Sequence, residues 1–164
     1  MAKERLQPSL LDRLTDYEPG QRFESLERRV LSPQQLRECV RRDLAWLLNA
    51  PNFASVHDLS EFPEVARSVV NFGVTDFIGK VASSFDTASL AKDFRRALLD
   101  FEPRLMPGTV QVHPTTDPQN RNPNALCFSI EAELWSQPVP LRLRLRTDLN
   151  LEDGEARVSE MDSE

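Results

Sequence analysis

Glycine is scarce in this chain, at five residues of 164. Phosphate-cradling loops need glycine where the backbone approaches the ligand, and neither a Walker string nor a Gly-x-Gly-x-x-Gly run occurs. Histidine is scarcer still: His57 and His113 are the two, neither stands in a metal-ligand spacing, and Cys39 and Cys127 supply no second ligand nearby. No Gly-x-Ser-x-Gly elbow is present. Carboxylates are plentiful, but a glycosidase-like pair needs one desolvated acid and a second at a defined distance across a cleft. Here they fall mostly on polar faces or near the C-terminal end. These absences argue against an enzyme and imply no cofactor and no metal.

Long apolar runs are missing too, so nothing in the chain predicts a bilayer span or direct membrane insertion. Met1 to Leu14 is charged throughout and lacks the apolar region of an export signal, which leaves the two cysteines as reduced thiols and points to the cytoplasm. Net charge is −6 with a pI near 5.1. Phosphate binding needs clustered Lys and Arg, so nucleic acid is an unfavoured partner. The length predicts one domain with flanking segments: an N-terminal segment over 1–31, a folded domain over 32–158, and an acidic tail over 159–164.

What is present is periodicity. Ser32, Pro33 and Gln35 have the order of a capping box with proline at the first helical position. Leu36, Val40, Leu44 and Leu47 then recur at helical spacing, with Cys39 and Leu48 widening the stripe, so Cys39 is expected as a small core residue. A second, shorter helix is expected after Pro63, with Val65, Val69 and Phe72 on its buried side and Gly73 as its stop. A loop over 74–85 leads to a third helix from about Asp86, carrying Leu90, Phe94, Ala97, Leu98 and Phe101. Pro103 ends it, because proline disfavours helical backbone at Glu102 and cannot donate.

Beyond Pro103 the period falls to two. Val110 and Val112 predict a first strand, and 117–124 a polar loop. Leu126, Phe128, Ile130, Ala132 and Leu134 alternate with polar neighbours, as do Val139, Leu141, Leu143 and Leu145 with Arg142, Arg144 and Arg146. If one face of this hairpin is apolar, paired residues must have an odd sum, which sets Glu131 and Glu133 beside Arg142 and Arg144. Asp153-Gly154 offers a turn into a last strand, Glu155 to Val158. Helices followed by an antiparallel sheet make an α+β fold, with the N-terminal helices packed on the C-terminal sheet.

Two local features have chemistry to offer a partner. Leu10, Leu11 and Leu14 share one face of a short helical turn, and the segment 1–31 is open to two readings: a disordered tail, or a docking element whose leucines bury against another chain. At the helix-to-sheet junction, Glu102 and Arg104 flank the stiff Pro103. They either pin the domain internally or form a recognition corner in which Arg104 meets a carboxylate or carbonyls of another chain.

Glu102-Pro103-Arg104 at a helix end, followed by Val110-Gln111-Val112, resembles the signature of the baseplate-wedge family of contractile phage tails, members of which have carried a lysozyme-like label. The opening Pro8-Ser9-Leu10-Leu11-Asp12-Arg13-Leu14, the stretch from Val40 to Asn49, the stretch from Phe62 to Asp76, and Thr147-Asp148-Leu149 with Asp153-Gly154 are similar to its type VI secretion branch, TssE. The resemblance covers nearly the whole chain, in order; the acidic stretch after Val158 departs from it. It implies a structural baseplate part on the cytoplasmic side of the inner membrane, in a wedge with TssF and TssG, reaching TssK through the wedge. There it would seed the contractile sheath of TssB and TssC, its open sheet accepting a strand from a sheath protein. In such a wedge the segment 1–31 is expected to dock through Leu10, Leu11 and Leu14, and the stiff corner of Glu102, Pro103 and Arg104 to meet a partner. The alternatives are a peptidoglycan hydrolase, on the strength of the old label, and the wedge protein of a phage tail.

Overall fold

A computed structural model describes residues 9–15, 20, 31–78, 86–116, 122, 124–136 and 139–161. Pro8, Pro19, the greater part of the segment 1–31, the loop residues 79–85, five residues of the 117–121 stretch with 123, Gln137-Pro138 and the tail residues 162–164 lie outside them. The described elements run α1 (Leu10–Leu14), α2 (Pro33–Leu48), α3 (Pro63–Ala66), α4 (Thr87–Phe101), β1 (Gln111–Thr115), β2 (Ala125–Leu134), β3 (Leu141–Asn150) and β4 (Ala156–Glu160). The four strands form one antiparallel sheet in the order β1-β2-β3-β4, so the fold is α+β, helices first.

α2 begins where the capping box requires. Ser32 Oγ accepts from the Gln35 backbone N–H, and the Gln35 side chain accepts in return from the Ser32 N–H. Its Leu36, Val40, Leu44, Leu47 and Leu48 are buried, whereas Cys39 is only half-buried, at the rim of the stripe. α4 is capped by Asp86 and buries Leu90, Ala91, Phe94, Ala97 and Leu98. Both helices lie over one face of the sheet, where Phe94 meets the Phe128 ring edge-on with centroids 5.0 Å apart. Burying a side chain of this size stabilises the fold by about 1.5–3 kcal/mol.

The hairpin has the expected register. Glu131 stands opposite Arg144 and Glu133 opposite Arg142, and Leu126 through Leu134 run against Leu149 through Leu141. Phe128, Ile130, Ala132 and Leu134 share the core face with Leu143, Leu145, Thr147 and Leu149. The last strand runs on to Glu160, two residues past Val158, and pairs with β3 throughout.

The stretch after Pro63 is not one helix. α3 stops at Ala66, a 3-10 turn covers Val69–Asn71, and the expected buried side faces water: Val69 is 83% exposed, and Phe72 is exposed too. Ser68 is the cause, because its hydroxyl donates to the Val65 carbonyl and accepts from the Val70 N–H, closing one helix and capping the next turn. Asn71 goes inside instead, donating to the Ala66 carbonyl and accepting from the Ala54 N–H, both at 2.8 Å. Gly73 adopts φ +126, with Val74 pairing back to Ala50 and Asn52.

Both edges of the sheet are partly covered. Asn150 N–H donates to the Glu155 carbonyl and Met161 N–H to that of Arg144. Odd-numbered residues of β4 therefore face β3, and Ala156, Val158 and Glu160 turn their backbone groups outward. There the Asn49 side chain bonds both the N–H and the C=O of Ala156, at 2.9 and 2.8 Å, and Arg41 Nη1 donates to the Val158 carbonyl at 3.0 Å. On the opposite edge, Pro114 of β1 offers no N–H, and Arg95 Nε donates to the carbonyl of Val110 just before the strand.

Candidate functional site

The corner between α4 and the sheet is built by backbone first. Glu102 N–H completes α4 on the Leu98 carbonyl, Trp135 N–H donates to the Arg104 carbonyl at 2.8 Å, and Met106 N–H donates to that of Glu133 at 2.8 Å. The turn is thereby stitched to the end of β2. Pro103 fixes its own backbone and keeps Glu102 out of the helical region. Both charges beside it find partners within the chain. Glu102, 5% exposed, accepts from Arg104 N–H at 3.0 Å and from Arg104 Nε at 2.7 Å, and its second oxygen accepts from Nη2 at 2.5 Å. The same Nη2 also donates to Asp43 of α2 at 2.6 Å. Among the described residues Arg104 Nη1 has no partner, and the side chain keeps 25% of its surface open.

Asp43 carries the contact onward. Its other oxygen accepts from Arg42 Nε at 2.9 Å and Nη2 at 2.7 Å. Arg42 Nη1 donates to Asp12 of α1 at 2.6 Å, and its guanidinium lies 4.9 Å from the centroid of the half-exposed Trp46 ring. Asp12 in turn accepts from the hydroxyl of Ser9, the N-cap of α1. Five alternating charges, Glu102, Arg104, Asp43, Arg42 and Asp12, thus run from the corner across α2 to α1.

The electrostatics follow the geometry. Burial raises the Asp12 carboxyl, but hydrogen bonds from Arg42 and Ser9 and the Arg42 charge outweigh it and bring the pKa down to about 2. Arg42 is held more firmly protonated, chiefly by Asp12 and Asp43. For Arg104, desolvation works against the charge, and Glu102 and Asp43 outweigh it, so its pKa is raised. Burial and the neighbouring Asp12 push the Cys39 thiol up, away from nucleophilic use. The carboxylates of this chain of charges are each engaged by a guanidinium. Among the described residues no cluster of His, Cys, Asp and Glu fit for a metal occurs, and no helix is long and apolar enough to cross a membrane.

α1 displays its leucines. Asp12 faces the body, and Leu10 and Leu14, two residues to either side, turn nearly opposite to it; they are 69% and 74% exposed, and Leu11 is 48% exposed. Asp12, Arg42 and Asp43 were not singled out in sequence as site residues. Arg42 and Asp43 stand in one of the stretches that carry the resemblance, but they look like the polar face of a helix, and only the fold shows what they join.

The family model for baseplate wedge protein gp25 matches residues 34–139. The chain belongs to the baseplate wedge protein gp25 family. The gp25 match takes in α2 from its second residue, α4, the Glu102–Arg104 corner, β1 and β2, and leaves α1, β3 and β4 outside. Membership gives the chain a structural role in a phage-like baseplate, in contact with other baseplate components. Neither a curated protein nor a solved structure matches it.

Proposed function

We propose that this gp25-family chain is the TssE-type wedge subunit of a type VI secretion system. In this reading it binds TssF and TssG on the cytoplasmic side of the inner membrane, meets TssK through that wedge, and seeds the sheath of TssB and TssC. It acts by assembly and not by catalysis. The observation that carries the reading is α1: three leucines exposed on a helix whose one acid, Asp12, ties it to Arg42 of the body, within the opening motif that resembles the secretion branch. An apolar face of this kind suits docking to another protein.

Arg104 supplies the second contact. Its Nη1 is the group offered to a carboxylate or carbonyl of another chain, held in place by Glu102 and stiffened by Pro103. Pre-ordering lowers the entropy lost on binding. The open sheet would supply the template for the first sheath ring, as an edge that a partner strand extends. The test is co-expression with tagged TssF and TssG. A stable three-way complex is the expected result; failure to co-purify, with capture instead by the wedge proteins of a contractile phage, would move the chain to the phage branch.

A further inference from the structure

α1 has a weak claim to its position. It is a single turn with no buried residue, too short to persist by its own hydrogen bonds. Among the described residues its charged tie to the body is Asp12 on Arg42. Arg42 is in turn oriented by Asp43, which takes two of its N–H groups, and Asp43 is fixed by Arg104. The position of α1 therefore depends on a side chain at the far corner of the domain.

Arg104 is held unequally by its two carboxylates. Glu102 grips it through Nε, Nη2 and the backbone N–H, whereas Asp43 has Nη2 alone. A partner group that draws on the guanidinium competes first with the single bond to Asp43. Once released, Asp43 no longer fixes the Arg42 guanidinium, and the hold of Arg42 on Asp12 weakens. We infer that the charges Asp12–Arg42–Asp43–Arg104 form an interlock that couples the leucine helix to the Glu102–Arg104 corner, so that the state of one contact surface sets the order of the other. Coupling of this kind is reciprocal: loss of the Arg104–Asp43 bond loosens α1, and a partner that fixes α1 also fixes Arg42 and Asp43 and so opposes any group that would draw Arg104 away from Asp43. The inference rests on the reading that both elements dock, and it adds an order to the docking.

The lone full-length chain tests it without any partner, so its failure is separable from failure of the assembly reading. Backbone {1H}-15N NOE values at Arg13 and Thr15, whose amides close α1, report its order on the picosecond-to-nanosecond scale. Arg104→Gln and Asp43→Asn should each lower these values from helix-like toward those of a flexible segment, and Asp12→Asn should lower them furthest. Arg104→Gln added to Asp12→Asn should change nothing more. In a Trp135→Phe background, Trp46 emission should shift in the Arg104→Gln chain as Arg42 leaves the ring. Asp43→Asn keeps the Glu102–Arg104 pair and decides the matter if Arg104→Gln unfolds. Native NOE values at Arg13 and Thr15 in a folded Asp43→Asn chain would overturn the interlock, as would an α1 that stays ordered in Asp12→Asn.

Discussion

Arg104 reaches Asp43 across 61 residues of sequence, with Nη2 2.6 Å from the carboxylate, while the same nitrogen holds Glu102. The corner is thus an internal pin between the end of α4 and α2. Among the described residues, Arg104→Ala removes the side-chain partner of the buried Glu102. Breaking a fully buried pair costs about 3–5 kcal/mol. Because Arg104 is partly open to water, about 2–3 kcal/mol is expected, or roughly 5–10 °C in melting temperature. Thermal melts of the lone subunit check this, and an unchanged melting curve would remove the pin.

The leucines of α1 behave differently. None of Leu10, Leu11 and Leu14 reaches the core among the described residues, so replacing all three with Ala should leave the melting temperature within about 1–2 °C of wild type. Retention by tagged TssF and TssG should fall sharply. Equal co-purification of mutant and wild type would show that this helix is not the docking element.

On the outer sheet face, Glu131 accepts from Arg144 at 3.2 Å and from Arg142 at 3.4 Å. Exposed pairs of this kind contribute about 0–1 kcal/mol. Arg142→Glu should therefore cost less than about 1 kcal/mol in urea unfolding, including the new repulsion from Glu131 and Glu133. A loss the size of a core deletion would mean that a neighbouring chain or segment covers this face.

Thr147 sits on the core face of β3, fully buried, and its hydroxyl has no partner among the described residues. Valine keeps the shape and removes the unpaired group. Thr147→Val should raise stability by about 1 kcal/mol, read as a higher urea midpoint at constant slope. A lower midpoint would show that the hydroxyl is satisfied by water or by a residue beyond those described.

Gly73 holds φ +126, and a Cβ there would lie 2.2 Å from the Ala50 carbonyl oxygen, a backbone atom that cannot swing away. Gly73→Ala should destabilise the domain by more than about 1 kcal/mol. Calorimetry of the variant checks this; a neutral result would mean that the strap between Ala50 and Val74 moves freely.

Periodicity carried much of this fold in the sequence. The alternation of Leu126 to Leu134 against Leu141 to Leu145 allows one parity of pairing, and Ser32, Pro33 and Gln35 mark the start of α2 before any contact is known. The segment after Pro63 misled because Val65, Val69 and Phe72 have helical spacing, while the deciding bonds are made by the small side chains of Ser68 and Asn71. Such local side-chain competition leaves no periodic trace. The charge chain was hidden for another reason: Arg104 stood out beside Pro103, but its partners Asp12, Arg42 and Asp43 come from two other segments and look like ordinary surface charges until the fold brings them together.

Asn49 gives Ala156 the two hydrogen bonds that a neighbouring strand would give, and Arg41 supplies a third at Val158. A strand arriving at β4 gains only the surplus over bonds already made. Chance encounters between free copies, at micromolar concentration, fall below that requirement. A segment tethered nearby in an assembled ring acts at an effective concentration in the millimolar range and can exceed it. In the proposed assembly, the side chains that blunt β4 would act as a concentration filter: they disfavour strand addition between free copies and allow it where the next strand is already held within reach.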